Sequence, residues 1–136
     1  MIEAFYCQTD TQGHVWPLLA YAYAEIFGGE IPQVAKHSSG KPYFPDHPLI
    51  HFSVSHARGA VLVTLSDSIC GCDIESLRPR AELLAPRIAS QAELEEFSFL
   101  DLWVLKESYV KLVGCVPGDD IYGFMRASSF LRSEGG

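Results

Sequence analysis

Two acidic residues separated by one position, Asp73 and Glu75, stand in the middle of the chain within Gly71-Cys72-Asp73-Ile74-Glu75. On a β-strand, side chains alternate between faces, so both carboxylates would share one face while Cys72 and Ile74 point into the core. Such neighbouring charges are tolerated when they are solvated or when a cation neutralises them. An all-oxygen pair suits a hard ion such as Mg²⁺, which keeps other positions for water and phosphate oxygens. The stretch therefore predicts either a metal-binding strand or an edge strand with a solvated acidic face.

A second pair of charged residues, Glu107 and Lys111, lies within Phe99 to Val113. That segment has the apolar periodicity of a helix, and Gly114 follows it as a stop signal. Residues at this spacing lie one turn apart on the same helix face. As a plain surface pair they would contribute only about 0.3–0.5 kcal/mol. The bulky Trp103 on the same side instead favours a helix packed on two sides, with the charged pair at the rim of a cleft.

The first half of the chain predicts a strand followed by a helix. Ile2 to Cys7 is rich in β-prone residues, and Asp10 to Gly13 predicts a turn. From Val15 to Phe27, apolar residues recur at helical spacing, and Gly28 ends the pattern. These signals indicate one strand, a turn and one amphipathic helix before the middle of the chain.

Three alternating or apolar segments follow one another from His51 to Glu75, separated by Arg58-Gly59 and by Ser66 to Ser68. Both separators have turn composition, so the spacing predicts an antiparallel meander of three strands. The strand face that carries Ser53 and Ser55, with His56 at the strand end, would then border the same cavity as the acidic pair. Taken alone, a histidine such as His56 is more often a turn residue than a ligand.

The remaining segments predict a loop, two short helices and one further strand. Residues 28–50 are broken by proline and glycine, and Lys41 within them is either surface or an anion-facing cation. Ala81 to Ala89 predicts a short helix, and Ser90 to Glu93 matches a capping box that begins another. Ile121 to Ala127 predicts a strand.

The overall composition indicates one α+β domain, 1–136, with 118–136 as a poorly defined tail and an antiparallel sheet packed against helices. The formal net charge of −7 and the lack of a Lys/Arg run argue against a nucleic-acid partner. No apolar run reaches membrane-spanning length, and the first residues lack a basic signal region. The cysteines do not have zinc-ligand spacing, which predicts reduced thiols and a cytoplasmic protein; they are Cys7, Cys70, Cys72 and Cys115.

Four stretches, taken in order, resemble the 4′-phosphopantetheinyl transferases, specifically the surfactin-synthetase type. They are Gly40 to Phe44, Phe52 to His56, Gly71 to Glu75 and Trp103 to Lys111. The last two are specific together in a way that neither is alone. The resemblance implies an enzyme that moves the phosphopantetheine arm of coenzyme A onto a serine of an apo acyl or peptidyl carrier protein. It also implies release of 3′,5′-ADP and dependence on Mg²⁺.

The resemblance assigns a role to each matching residue. Asp73, Glu75 and Glu107 would hold Mg²⁺ against the pyrophosphate. Glu107, or a water that it holds, would take the proton from the carrier serine. Lys111 would reach the pyrophosphate oxygens. The positions that match contacts to coenzyme A are Lys41, Pro42, Ser55, His56 and Lys111.

The chain also departs from the family pattern, and it is compact relative to members built of two similar halves. Between Gly13 and Phe27 it has no Lys or Arg, so His14 is the only candidate there to meet the 3′-phosphate of coenzyme A. Most strands expected after the Lys111 helix are missing, and an unpaired sheet edge would favour a homo-oligomer or indicate an incomplete chain. Two other readings stay open: an inactive shortened relative that binds a nucleotide or protein, and an unrelated small α+β domain with a solvated acidic strand.

Overall fold

The computed structural model describes residues 1–12, 14–76, 80–114 and 120–131. The predicted α+β class is confirmed, with small antiparallel sheets packed against helices. The elements are β1 Ile2–Gln12, α1 Val15–Phe27, β2 Ala35–Lys36, β3 Pro42–Tyr43, β4 His51–Ser66, a 3-10 turn Ala81–Leu84, α2 Ala85–Ile88, α3 Gln91–Glu96, α4 Phe99–Val113 and α5 Ile121–Ala127.

The main sheet is an antiparallel pair of β1 and β4, in register from Ile2 opposite Ser66 to Gln8 opposite Ala60. β1 continues to Gln12, so the turn predicted from Asp10 is wrong up to that residue, and Gly13 lies outside the described residues. Helix α1 has the predicted bounds, and Gly28 ends it with φ 76°. It packs on β4 around a core of Leu19, Ala22, Tyr23, Phe44, Phe52, Val63 and Leu65.

The predicted meander is wrong in its first turn, because β4 runs unbroken through Arg58-Gly59. Gly59 has φ 84°, a backbone conformation that glycine adopts at little cost. The pairing with β1 shifts register at this point, since Gln8 faces Ala60 and Gln12 faces Arg58. The glycine therefore accommodates an irregularity within one long strand instead of reversing the chain.

The third strand of the predicted meander is also wrong, because the segment that carries the acidic pair is not a regular strand. The segment does lie beside Ser53 and Ser55 of β4, the positions predicted to border one cavity with it. The backbone N–H of Cys72 donates to Ser53 Oγ at 3.1 Å, and that of Ile74 donates to Ser55 Oγ at 3.1 Å. Two serine hydroxyls thus take the place of backbone carbonyls along this edge. Cys72 is buried, as predicted.

The C-terminal helices form a second core of Ile88, Ala89, Leu102 and Met125. The predicted helix over Ala81–Ala89 is confirmed as a 3-10 turn followed by α2, and the predicted capping box at Ser90 is present. Helix α4 has its predicted bounds, with Gly114 at φ 73°. The strand predicted at Ile121–Ala127 is wrong: Asp120 caps a helix there by accepting from Gly123 N–H at 2.9 Å.

Among the described residues, no helix is long and apolar enough to cross a bilayer. The thiols of Cys7, Cys70 and Cys72 are free, and burial raises the pKa of the latter two. Cys115 and the end of the predicted tail, 132–136, lie outside the described residues.

Candidate active site

Gly71 lets helix α4 pack directly on the acidic segment. A Cβ at this position would overlap the carbonyl oxygen of Ser108 and lie 2.7 Å from the backbone nitrogen of Leu112. Since real side chains do not tolerate such distances, only glycine permits this approach. The close packing brings the helix motif against the Asp73 segment.

Lys41 fastens the same two segments together from the loop before β3. Its Nζ donates to the carbonyl oxygens of Cys70 and Leu112, at 2.9 and 3.1 Å. The Leu112 carbonyl belongs to the last turn of α4, where backbone acceptors lack helical partners. Burial lowers the pKa of Lys41. In this structure, the ammonium that the resemblance assigns to coenzyme A is therefore engaged by two backbone carbonyls.

Asp73, Ser55 and Lys111 form a closed hydrogen-bonded cluster. The Lys111 Nζ donates to Asp73 Oδ1 at 2.8 Å and to Ser55 Oγ at 2.9 Å, and Ser55 Oγ donates to Asp73 Oδ1 at 3.2 Å. The ion pair joins residues 38 positions apart in the sequence. Two of the motifs that the sequence singles out thus meet in space, while the Ser55 hydroxyl is saturated within the cluster.

The second oxygen of Asp73 has no such partner. Asp73 Oδ2 is buried, and it is the single buried side-chain nitrogen or oxygen atom without a hydrogen-bond partner among the residues that the structure describes. Buried polar atoms in native proteins nearly always have a donor, a water or an ion beside them. This oxygen is therefore a free ligand position within an otherwise saturated cluster.

Glu107 lies in the same electrostatic environment. Its pKa is raised above the ordinary carboxyl value, first by burial and then by the charge of Asp73; the charge of Glu75 adds to this, and Lys111 partly offsets it. A carboxylate whose pKa moves toward neutrality is a better general base than an exposed one. The arrangement thus combines two neighbouring acidic charges, a base and a lysine.

The donor set has the chemistry of a hard-cation site, although its spacing is open. Within the described part of the chain, no three His, Cys, Asp or Glu side chains are grouped closely enough to hold a metal ion as they stand. All candidate donors are carboxylate oxygens, and the partnerless Asp73 Oδ2 offers a coordination position. The residues therefore fit Mg²⁺ in the chemistry of their donors, whereas the predicted convergence of Asp73, Glu75 and Glu107 into one ligand group is not found in the described residues.

One cavity adjoins the cluster at Lys111, and a second lies next to the first. Lys111 lines one of about 250 Å³ together with Lys41, Pro42 and Ser53. A larger cavity of about 590 Å³ shares Lys41 and Pro42 with it. Three of the predicted substrate-binding positions therefore border one open space. His56 is exposed on β4, and none of the contacts found in the described residues joins it to the cluster.

Sequence reasoning missed a second lysine–carboxylate pair on the opposite side of α4. The ammonium of Lys106 donates to Glu93 Oε1 at 3.0 Å and to three backbone carbonyls, those of Ile88, Met125 and Ser128 at 2.7, 2.7 and 2.9 Å. Both side chains are buried. The available signal was spacing, because Lys106 lies one turn after Leu102 on the helix face that is buried in the core.

Comparison with curated proteins shows what this chain is similar to. The 4′-phosphopantetheinyl transferase psf-1 of Bacillus pumilus is 33% identical over 109 residues, which cover 71% of this chain and 47% of that protein. The similarity is to phosphopantetheinyl transferases. The enzyme of that name from Bacillus subtilis is 32% identical over 85 residues, covering 55% of this chain and 38% of the relative. The phosphopantetheinyl transferase AcpT of Escherichia coli O157:H7 is 33% identical over 97 residues, covering 62% and 50%.

The chain spans half or less of the length of these phosphopantetheinyl transferases. No family model matches it. The relatives support the superfamily that the four sequence motifs resemble.

Proposed function

We propose that the chain transfers the 4′-phosphopantetheine arm of coenzyme A to a serine of an apo acyl or peptidyl carrier protein, in a Mg²⁺-dependent reaction of the surfactin-synthetase type. The observation that carries the proposal is the ion pair between Asp73 and Lys111, with Glu107 in the same electrostatic environment. It unites the acidic motif and the helix motif at the rim of a cavity. The similarity to named phosphopantetheinyl transferases supports the same chemistry.

The proposed reaction is a phosphoryl transfer in which one bond to phosphorus forms and another breaks. The serine oxygen of the carrier bonds to the phosphorus that bears pantetheine, and the bond from that phosphorus to the bridging pyrophosphate oxygen breaks. The leaving group is 3′,5′-ADP. Glu107, directly or through a water, accepts the serine proton, and its raised pKa suits that task. Positioning and electrostatics supply most of the catalysis in such reactions.

The cations around the cavity have complementary roles in this proposal. Lys111, which is partly exposed, turns its ammonium to the pyrophosphate oxygens. Lys41 holds Cys70 and the end of α4 in place, and Pro42 beside it lines the cavity that receives the nucleotide. Ser55 orients Asp73.

The metal that the resemblance implies would be held by Asp73, Glu75 and Glu107. When bound, Mg²⁺ would neutralise charge that builds on the leaving phosphate. The free oxygen of Asp73 supports this assignment. A cytoplasmic location, where coenzyme A and apo carriers are available, belongs to the same proposal.

The test is to incubate the protein with coenzyme A, Mg²⁺ and several apo carrier proteins, and to follow the mass of each carrier. We expect a gain equal to phosphopantetheine on at least one carrier. Glu107→Gln should abolish the gain, whereas Glu96→Gln, which changes an exposed glutamate at the end of α3, should not. A folded protein that modifies no carrier would contradict the proposal and favour a non-catalytic binding role.

A further inference from the structure

The contacts of Lys111 have a consequence for how the proposed site takes up its ligands. Its ammonium lies 2.8 Å from Asp73 Oδ1, on the carboxylate that is the most buried of the three proposed metal ligands. A Mg²⁺ ion binds carboxylate oxygens at about 2.0–2.1 Å and needs the space around them. An ammonium in contact with the same carboxylate therefore obstructs a cation both by its volume and by its positive charge.

The charges of the cluster are not balanced by this lysine. The proposed metal ligands Asp73, Glu75 and Glu107 carry three carboxylates, and among the described residues the ion pair of this group is the one between Lys111 and Asp73. A single positive charge facing this acidic group leaves a negative excess, which a divalent ion would neutralise more fully. The partnerless Asp73 Oδ2 indicates the same deficit of positive or donor groups.

The Lys111 ammonium is also able to move away from Asp73. Its side chain is 31% exposed, and it lines the cavity of about 250 Å³ beside the cluster. The flexible four-carbon stem of a lysine lets the ammonium move to a new anionic partner without movement of the helix. By contrast, Lys106 on the same helix has no exposed side-chain surface.

We infer that Lys111 is an internal substitute for the divalent cation, holding Asp73 in the metal-free protein and moving to the pyrophosphate when cation and coenzyme A bind. The inference rests on the proposed function for the identity of the anionic ligand. Its consequence is positive coupling. A cation alone binds Asp73 against the repulsion of the Lys111 ammonium on the same carboxylate, whereas coenzyme A offers that ammonium a new partner. By linkage, each ligand then raises the affinity of the other by the same factor.

The experiment measures binding of Mn²⁺, an oxygen-seeking ion with a paramagnetic signal, to the intact chain with and without coenzyme A. For Lys111→Met without coenzyme A, we expect tighter Mn²⁺ binding than for the wild type, by about five- to 150-fold, the usual range for coupling between sites. The gain in Mn²⁺ affinity that coenzyme A gives the wild type should shrink in the variant. Lys36→Met removes one exposed lysine charge elsewhere and should change neither quantity beyond a small general effect.

Several outcomes would overturn the inference. They are unchanged or weaker Mn²⁺ binding by Lys111→Met, an equal effect of Lys36→Met, or no Mn²⁺ binding by either protein. Lys111→Gln provides a second neutral variant if the first does not fold, and circular dichroism checks both. The titration needs no carrier and no turnover, so its result is separate from the carrier assay. Transfer without the Mn²⁺ effect would remove the inference alone, and the Mn²⁺ effect without transfer would remove the proposed function alone.

Discussion

Helix α4 carries two lysine–carboxylate pairs on different sides, and their surroundings differ sharply. Lys106 and Glu93 are 0% and 1% exposed at their side chains, and the ammonium also meets three backbone carbonyls. Lys111 is 31% exposed, and its partner Asp73 keeps one oxygen without a donor. The first pair has every partner it needs, whereas the second is incomplete.

The difference shows that one side of α4 stabilises the fold, whereas the other side carries the candidate site. Lys106 places a positive charge at the C-terminal ends of α2 and α5, where unpaired carbonyls concentrate negative potential. Burial acts to raise the pKa of Glu93, but the hydrogen bonds from the Ser90 backbone and from Lys106, together with the charge of Lys106, lower it overall. The pKa of Glu107, in contrast, is raised. One side of α4 stabilises charge, and the other holds charges in a costly arrangement that a ligand would relieve.

The largest effect on stability is expected from Lys106→Met. The change leaves the Glu93 carboxylate and three carbonyls buried without their cation, which in comparable pairs costs about 3–5 kcal/mol. Urea unfolding measures the loss. Lys111→Met is the matched variant on the other side of α4 and should cost about 1–2 kcal/mol, because Ser55 still donates to Asp73 and the lysine is partly solvated. Equal losses would contradict the division between the two pairs.

Gly71→Ala should have the next largest effect. The added methyl group overlaps the backbone of α4 at Ser108 and Leu112, so the helix must move away, at a cost of about 1–3 kcal/mol. Movement of α4 would also separate Lys111 from Asp73, and carrier modification should fall with stability. A variant as stable and as active as the wild type would show that the close approach of α4 is not needed.

Ser90→Ala should cause a smaller loss of stability on the side of α4 that packs against Glu93. Its hydroxyl accepts from Glu93 N–H at 3.2 Å as the cap of α3, and loss of such a cap costs about 1 kcal/mol. The midpoint of thermal unfolding should fall modestly while carrier modification per folded molecule stays constant. A selective loss of activity would mean that the α3 cap also controls the Asp73 side of α4.

Glu107→Gln should produce the smallest change in stability, and an increase. A carboxyl group with a raised pKa in the folded state lowers stability as pH rises through that pKa, because the folded protein holds the proton more tightly than the unfolded chain. The metal-free variant should therefore be more stable than the wild type near pH 7, and the difference should vanish below about pH 4. Urea unfolding with a chelator across this range checks the sign. A variant that is less stable at neutral pH would indicate a structural role for the carboxylate.

Much of the fold followed from local sequence signals, and the exceptions have physical causes. Helices α1 and α4 have their predicted bounds because Gly28 and Gly114 end them with positive φ. Gly59 is also a glycine with positive φ, but the residues on both sides of it pair with β1, so the strand continues. Asp120 is a helix N-cap that the sequence did not reveal, because the residues that follow it are β-prone.

The site was predictable where chemistry depends on residue type, and less so where it depends on distant packing. The Asp73 and Lys111 motifs meet as the resemblance implies, whereas the three carboxylates that it brings together are not grouped within the described residues. Lys106 was missed because a lysine on a helix is normally solvated, and its carbonyl partners come from two other helices. The role of Lys41 as a tie between Cys70 and Leu112 is likewise invisible in the sequence.

The most direct test of the account compares the transfer rate per folded molecule of Lys111→Met with that of the wild type, beside the free energy of unfolding of each. We expect the rate to fall by about 10²-fold or more, the usual effect of removing a group that stabilises transition-state charge, while the free energy of unfolding falls less than in Lys106→Met. An unchanged transfer rate in a folded Lys111→Met protein would contradict it.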